Sequence, residues 1–151
     1  MNQHTIVVMY KKMMKDTGIR NFLLMIGFLL TGLFIQCSQP KAIMKTVSSG
    51  EVSEMIKNNS NNTRLIILDV RTPDEFAEGH IANATNIDVN AGDFAQKISK
   101  LDKTKKYIVY CRSGHRSAKA AEIMKNQSFK TIYNLDGGIT HWISDHNPVI
   151  K

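Results

Sequence analysis

The sequence predicts an α/β fold: a mostly parallel, five-stranded sheet with helices on both faces. Three observations point there. Strand-like and helix-like segments alternate from Pro40 onward. Two of the strand-like segments, 65–70 (LIILDV) and 106–110 (KYIVY), are almost continuous apolar runs, as expected for strands buried on both faces of a parallel sheet. The connections are too long for tight hairpins, and parallel neighbours need crossovers. A chain of 151 residues, 42% hydrophobic and 22% charged, has room for one such domain and is neither collagen-like nor disordered.

Each element has its own signal. Residues 43–47 alternate apolar and polar and read as the first strand. Ser48 and Ser49 can cap a helix running through Asn58, with Val52, Met55 and Ile56 at helical spacing. Residues 58–63 (NNSNNT) read as a polar connection. After strand 65–70, Thr72-Pro73-Asp74-Glu75 starts a short helix, with Pro in the first turn and acids near the helix N-terminus. Gly79 stops it. Residues 84–89 read as a strand, and 93–101 as a helix with Phe94, Ile98 and Leu101 on one face. Strand 106–110 leads into a Gly-containing loop, 111–117, and an Ala-rich helix, 117–127. Strand 131–135, a break at Gly137-Gly138 and a short helix, 139–144, complete the series.

The first 36 residues differ in character. Lys11, Lys12, Lys15 and Arg20 precede an apolar run at 22–35 (FLLMIGFLLTGLFI), followed by Cys37 and a polar stretch. A bilayer-spanning helix needs roughly 20 apolar residues, so the run is short for that role. A basic segment, an apolar run and then a Cys resembles a bacterial lipoprotein signal. Residues 1–36 are expected to be the signal peptide, with Cys37 the lipidated first mature residue, 37–42 a spacer and 43–151 the folded domain. An uncleaved anchor and a cleaved soluble form are the alternatives. The expected location is the bacterial cell envelope, membrane-anchored through the N-terminal lipid and facing the periplasm or exterior. Without the leader the formal charge falls from +7 to +4, and no basic run exceeds Lys105-Lys106, so nucleic acid is not an expected partner. The two cysteines, Cys37 and Cys111, cannot build a disulfide scaffold or a four-thiolate zinc site.

The most informative segment is Cys111-Arg112-Ser113-Gly114-His115-Arg116-Ser117. A Cys closes a buried strand, and a helix begins a few residues later. The intervening loop can turn backbone N–H groups toward the sulfur, as a cradle for an anion. The helix N-terminus and two arginines add positive charge. All of these favour thiolate over thiol, so Cys111 is expected to titrate below a free cysteine. Gly114 supplies backbone freedom at the bend. An inert, buried Cys is the alternative reading of Cys111 alone.

The loop does not stand alone. Leu68-Asp69-Val70-Arg71 with Glu75-Phe76 and Gly79-His80-Ile81, then Ala84-Thr85-Asn86-Ile87, the loop, and Leu135-Asp136-Gly137-Gly138 with Trp142 occur in order. From about Met44 to Trp142 the chain resembles a single-domain rhodanese. One departure is Ala82-Asn83, where that family often has Pro-Gly. The resemblance implies a sulfurtransferase: Cys111 takes sulfane sulfur from a donor such as thiosulfate and, as a persulfide, passes it to cyanide, a thiol or a thioredoxin-like protein. It implies a donor-binding loop of Arg112, Ser113, Gly114, His115 and Arg116. Arg116 is expected on the donor anion and Arg112 along the rim. It implies no metal and no organic cofactor.

Asp69 and Arg71 are expected to give structural support, with Arg71 reaching Glu75 at i+4. His80 is expected to be a hydrogen-bonded structural residue, and Trp142 to serve packing. Two other functions compete. A Cys-dependent phosphatase or arsenate reductase resembles Cys-x5-Arg, whereas four residues separate Cys111 from Arg116 here. A non-catalytic, sulfur-carrier or regulatory rhodanese-like module is the other alternative.

Overall fold

The computed structural model describes residues 42–59 and 63–151, with Thr5, Val8, Lys11 and Lys12. The apolar run at 22–35 and Cys37 lie outside the described residues. Among the described residues no helix is long and apolar enough to cross a membrane.

From residue 42 the chain forms one compact α/β unit. Its elements are β1 (Ile43–Val47), α1 (Ser49–Asn58), β2 (Leu65–Asp69), α2 (Pro73–Glu78), β3 (Ala84–Asn86), α3 (Phe94–Ser99), β4 (Lys106–Tyr110), α4 (His115–Asn126), β5 (Thr131–Leu135) and α5 (Gly138–Ser144). The five strands lie in the order β1-β5-β4-β2-β3. Every strand pair in this sheet is parallel.

Alternation along the strands divides the interior in two. Leu68, Val70, Tyr107, Val109, Cys111 and Ile132 face one way, against Phe94 and Ile98 of α3 and Ala120, Ala121 and Met124 of α4. Ile67, Ile108, Tyr110 and Leu135 face the other, against Val52 of α1 and Ile139 and Trp142 of α5. Trp142 is a packing residue whose indole N–H also donates to Pro148 O at 2.9 Å. The near-continuous apolar reading of β2 and β4 follows from this burial on both sides.

The capping signals hold in detail. Ser48 caps α1 and Thr72 caps α2, each in a reciprocal arrangement with the Glu three residues on, Glu51 and Glu75. Several boundaries differ from expectation by one to three residues. β3 ends at Asn86 rather than Val89, although Ile87 N and Val89 N still donate to Asp69 O and Val70 O; the Asn86 side-chain amide adds bonds to the carbonyls of Asp69 and Arg71. α3 spans Phe94–Ser99, because Asp93 forms no side-chain cap and instead meets Lys97 at 3.1 Å. α4 begins at His115, two residues early, because Gly114 takes a left-handed conformation (φ 95°) that closes the loop sooner. Asn83, in the turn where the related family often has Gly, also has positive φ (62°), a conformation Asn tolerates better than most residues.

The expected Arg71–Glu75 pair does not form. Arg71 turns back to Asp69, its Nε donating to both carboxylate oxygens at 3.0 and 2.9 Å and one terminal nitrogen donating at 2.6 Å. The same nitrogen bonds Gly79 O at 2.7 Å. Both side chains are buried, and a buried carboxylate at a strand end needs the nearest cation on its own side of the sheet. Burial works against the Arg71 charge, but the bonds and charge of Asp69 outweigh it and raise its pKa. Tyr110 completes this side: Arg71 lies 5.7 Å over its ring, and its hydroxyl accepts from Ile81 N at 3.1 Å. His80 is hydrogen-bonded as expected, Nδ1 lying 3.0 Å from Phe76 O, and its ring stacks on that of Phe76.

Arg71→Met should therefore strand the Asp69 carboxylate and cost about 3–5 kcal/mol in urea unfolding, the range for breaking a buried ion pair. Replacing both partners, as Asp69→Leu with Arg71→Met, should recover most of that loss.

Candidate active site

Cys111 follows β4 directly and is buried, 1% exposed, at the carboxyl edge of the sheet, where ligand crevices of open α/β sheets form. The loop after it folds around the sulfur. Gly114 N donates to Cys111 Sγ at 3.2 Å, and Ser117 Oγ lies 3.5 Å from the same atom. Ser117 is fully buried and can alternatively donate to Gly114 O at 3.0 Å, so its single proton ties the loop closed or tips toward the sulfur. Burial raises the Cys111 pKa. The Ser117 hydroxyl and the backbone N–H groups of Ser117, Ser113 and Gly114 more than offset it, and the net shift is downward. The thiolate form is favoured by hydrogen bonds aimed at one atom.

α5 orients one of these donors, the Ser113 N–H. Ile139 N donates to Cys111 O at 2.8 Å. Thr140 donates twice to Arg112 O, from its backbone N at 3.1 Å and its hydroxyl at 2.9 Å. In a trans peptide the C=O and N–H point in opposite directions. Holding the Arg112 carbonyl against α5 therefore turns the Ser113 N–H away from α5 and toward the sulfur. Gly138 makes the contact possible. Its φ is 59°, and a Cβ there would lie 2.3 Å from Cys111 O and 2.7 Å from Arg112 O.

A second cluster flanks the loop. Arg116, in the first turn of α4, makes a two-pronged pair with Glu75 of α2, at 2.6 and 2.7 Å. Glu75 also accepts from Thr72 N at 3.2 Å as part of the α2 cap. The bonds from Arg116, with help from Thr72 and against partial burial, hold the Glu75 carboxyl down at about 2. Among the described residues there is no group of three or more His, Cys, Asp or Glu side chains that could hold a metal.

Residues 49–145 match the Rhodanese-like domain family. The chain belongs to the rhodanese family. It is 36% identical over 105 residues to a Bacillus subtilis (strain 168) protein named "Putative sulfurtransferase YtwF", covering 70% of this chain and 96% of that protein. Thiosulfate sulfurtransferase GlpE of Coxiella burnetii (strain RSA 331 / Henzerling II) is 34% identical over 102 residues, covering 68% of this chain and 90% of GlpE. A tRNA uridine(34) hydroxylase of Buchnera aphidicola is 33% identical over 99 residues but only 30% of its length is covered, so the module also occurs within longer enzymes. Among solved structures, a rhodanese-related protein of Thermoplasma volcanium has a TM-score of 0.61 at 33% identity, covering 70% of this chain and 97% of that one.

In this rhodanese the loop residues read from the sequence fall in one place. Arg112, Ser113 and His115 are exposed around the rim, and Gly114 sits between them and the sulfur. Asp69 and Arg71 stand on the Tyr110 side of the sheet, the face opposite Cys111, and bond each other and the Gly79 turn rather than the loop. The sequence reading missed three contributors. Ser117 looked like the first helical residue; a small hydroxyl one turn beyond the Cys was its signal. Gly138 was read only as a turn. Spacing pairs Glu75 with Arg71 at i+4, whereas its partner is Arg116, 41 residues away.

Gly138→Ala should push the carbonyls of Cys111 and Arg112 off α5 and release the Ser113 N–H from the sulfur. The midpoint for Cys111 alkylation by iodoacetamide should rise toward that of a free thiol, about 8.5. Helix content in far-UV circular dichroism should be retained.

Proposed function

We propose that this rhodanese is a sulfurtransferase that carries sulfane sulfur on Cys111. The observation supporting this most directly is the convergence of backbone N–H groups and the Ser117 hydroxyl on a buried sulfur. Such a cradle stabilises negative charge on the thiolate and equally on the terminal sulfur of a persulfide.

The reaction divides into two displacements. The Cys111 thiolate attacks the outer sulfur of thiosulfate. The Cys–S bond to that sulfur forms, the S–S bond of thiosulfate breaks, and sulfite leaves with the bonding pair. The enzyme then holds a Cys111 persulfide with one negative charge. Cyanide attacks the terminal sulfur, leaves as thiocyanate and restores the thiolate. A thiolate acceptor, free or on a thioredoxin-like protein, follows the same course and departs as a persulfide. No proton or electron need be supplied in either half. Arg112, Ser113, Gly114, His115 and Arg116 form the donor-binding loop, Arg112 and His115 at its mouth. The relative named thiosulfate sulfurtransferase supports thiosulfate as the first donor to test.

Cys111→Ser should abolish thiosulfate-to-cyanide transfer while thermal unfolding stays close to wild type, because the change is nearly isosteric. Wild-type protein incubated with thiosulfate should gain one sulfur atom in an intact-mass measurement, and the Ser variant none. Turnover retained by Cys111→Ser overturns the mechanism.

We also propose that the chain is exported and held at the cell envelope through lipid on Cys37. This rests on the basic segment and the apolar run that precede that Cys. A labelled fatty acid should enter the wild-type protein and not Cys37→Ala. No label in the wild type would leave an uncleaved anchor or a soluble form.

A further inference from the structure

Arg116 occupies an awkward position. It lies in the first turn of α4, where the helix N-terminus carries partial positive charge and a cation is disfavoured. No acidic residue of α4 offsets it there. The compensation comes from another element: Glu75, three residues after the α2 cap, reaches across to both terminal nitrogens of the guanidinium. The two side chains are equally and only partly covered, each 27% exposed, so the pair stands at the wall of the loop rather than deep beneath it.

We propose that Glu75 is a positioning residue that sets the charge of the Cys111 site: by fixing Arg116 and cancelling its charge, it withholds positive potential from the thiolate and from anionic donors. A two-pronged carboxylate pair uses the end-on face of the guanidinium, the face best suited to a thiosulfate oxyanion edge. With Glu75 in place, an anion must compete for Arg116 or bind without it. Besides Glu75, Cys111 and Asp88 act on Arg116 in the same sense, favouring its charged form. Of the two loop arginines, Arg112 is the one on the exposed rim. Such a site favours a donor of low charge over a dianion. The donor part of this inference rests on the sulfur-transfer reading above; the charge acting on the thiol does not.

Glu75→Gln tests it with little disturbance. Gln serves in the third position of a capping box as Glu does, and its carbonyl still accepts from Arg116. Two readouts are needed. The first is the pH midpoint for Cys111 alkylation by neutral iodoacetamide, which requires no turnover. It should fall by about half a pH unit, since Arg116 now acts on the thiolate uncancelled. The second compares thiosulfate, a dianion, with methanethiosulfonate, which offers a similar outer sulfur on a monoanion. The ratio of their kcat/KM values should shift toward thiosulfate by about two- to fivefold, the size of one partly exposed charge interaction.

Arg116→Gln is the converse variant and serves if Glu75→Gln does not fold. It leaves Glu75 uncompensated, so the midpoint should rise and the donor ratio should turn against thiosulfate. A midpoint that stays in place or moves the opposite way in the variant tested overturns the proposal, as does a donor ratio unchanged by it. A lowered midpoint in Glu75→Gln without sulfur transfer from either donor, by a protein whose wild type also transfers none, upholds the charge role and overturns the sulfurtransferase reading instead.

Discussion

A sulfur anion enclosed by Val109, Ala120, Ala121 and their neighbours would be costly without donors, because burial alone drives a thiol toward its neutral form. The loop after β4 supplies those donors, but a loop has no ladder of its own to hold its peptides in place. The holding is done from outside, by α5. Three hydrogen bonds from Ile139 and Thr140 fix two successive carbonyls, Cys111 O and Arg112 O, and so fix the Arg112–Ser113 peptide plane, whose N–H end acts on the sulfur. The close approach depends on the missing side chain of Gly138, which lets the start of α5 lie against the loop backbone. The electrostatics at the sulfur are thus set by a backbone contact on the other side of the loop.

That arrangement explains what was legible in the sequence. The strands were, because parallel strands covered on both faces must read as apolar runs, as 65–70 and 106–110 do. The helix starts at Ser48 and at Thr72-Pro73 were, because caps and first-turn residues are local; the reciprocal bonds to Glu51 and Glu75 appear only in the fold. Cys111 was, because the residues that surround it in the loop also surround it in the chain. The contacts of Gly138 and Glu75 were not. Gly138 meets Cys111 only after β5 has returned to the sheet beside β4, and Glu75 meets Arg116 only because β2 and β4 are neighbours. Spacing also misled: i+4 proximity suggested Arg71 with Glu75, while the buried Asp69 carboxylate, two residues from Arg71, held the stronger claim on that guanidinium.

The two arginine–carboxylate pairs do different work. Asp69–Arg71 is buried on the Tyr110 side, where it joins the end of β2 to the Gly79 turn. Glu75–Arg116 is only partly exposed and joins α2 to the start of α4. Between them runs β2 with its following turn, so the Asp69-to-Glu75 stretch supports both faces of the sheet at its carboxyl edge. The family signature beginning at Asp69 reads physically as a bracket: one end anchors the scaffold, the other governs the charge beside the sulfur.

The strand order carries a consequence for how the molecule comes into being. β1, the first of the described strands, has β5 as its sheet neighbour, with Val47 opposite Leu135. It must wait for almost the whole chain before it can pair. The central strands β2 and β4 can meet sooner, but α5 follows even β5, and without α5 the carbonyls of Cys111 and Arg112 have nothing to hold them. The chain therefore contains its cysteine long before it possesses an activated thiol. A nascent or partly folded molecule lacks the contacts of α5 with Cys111 O and Arg112 O, so the full downward shift of the thiol pKa belongs to the completed fold.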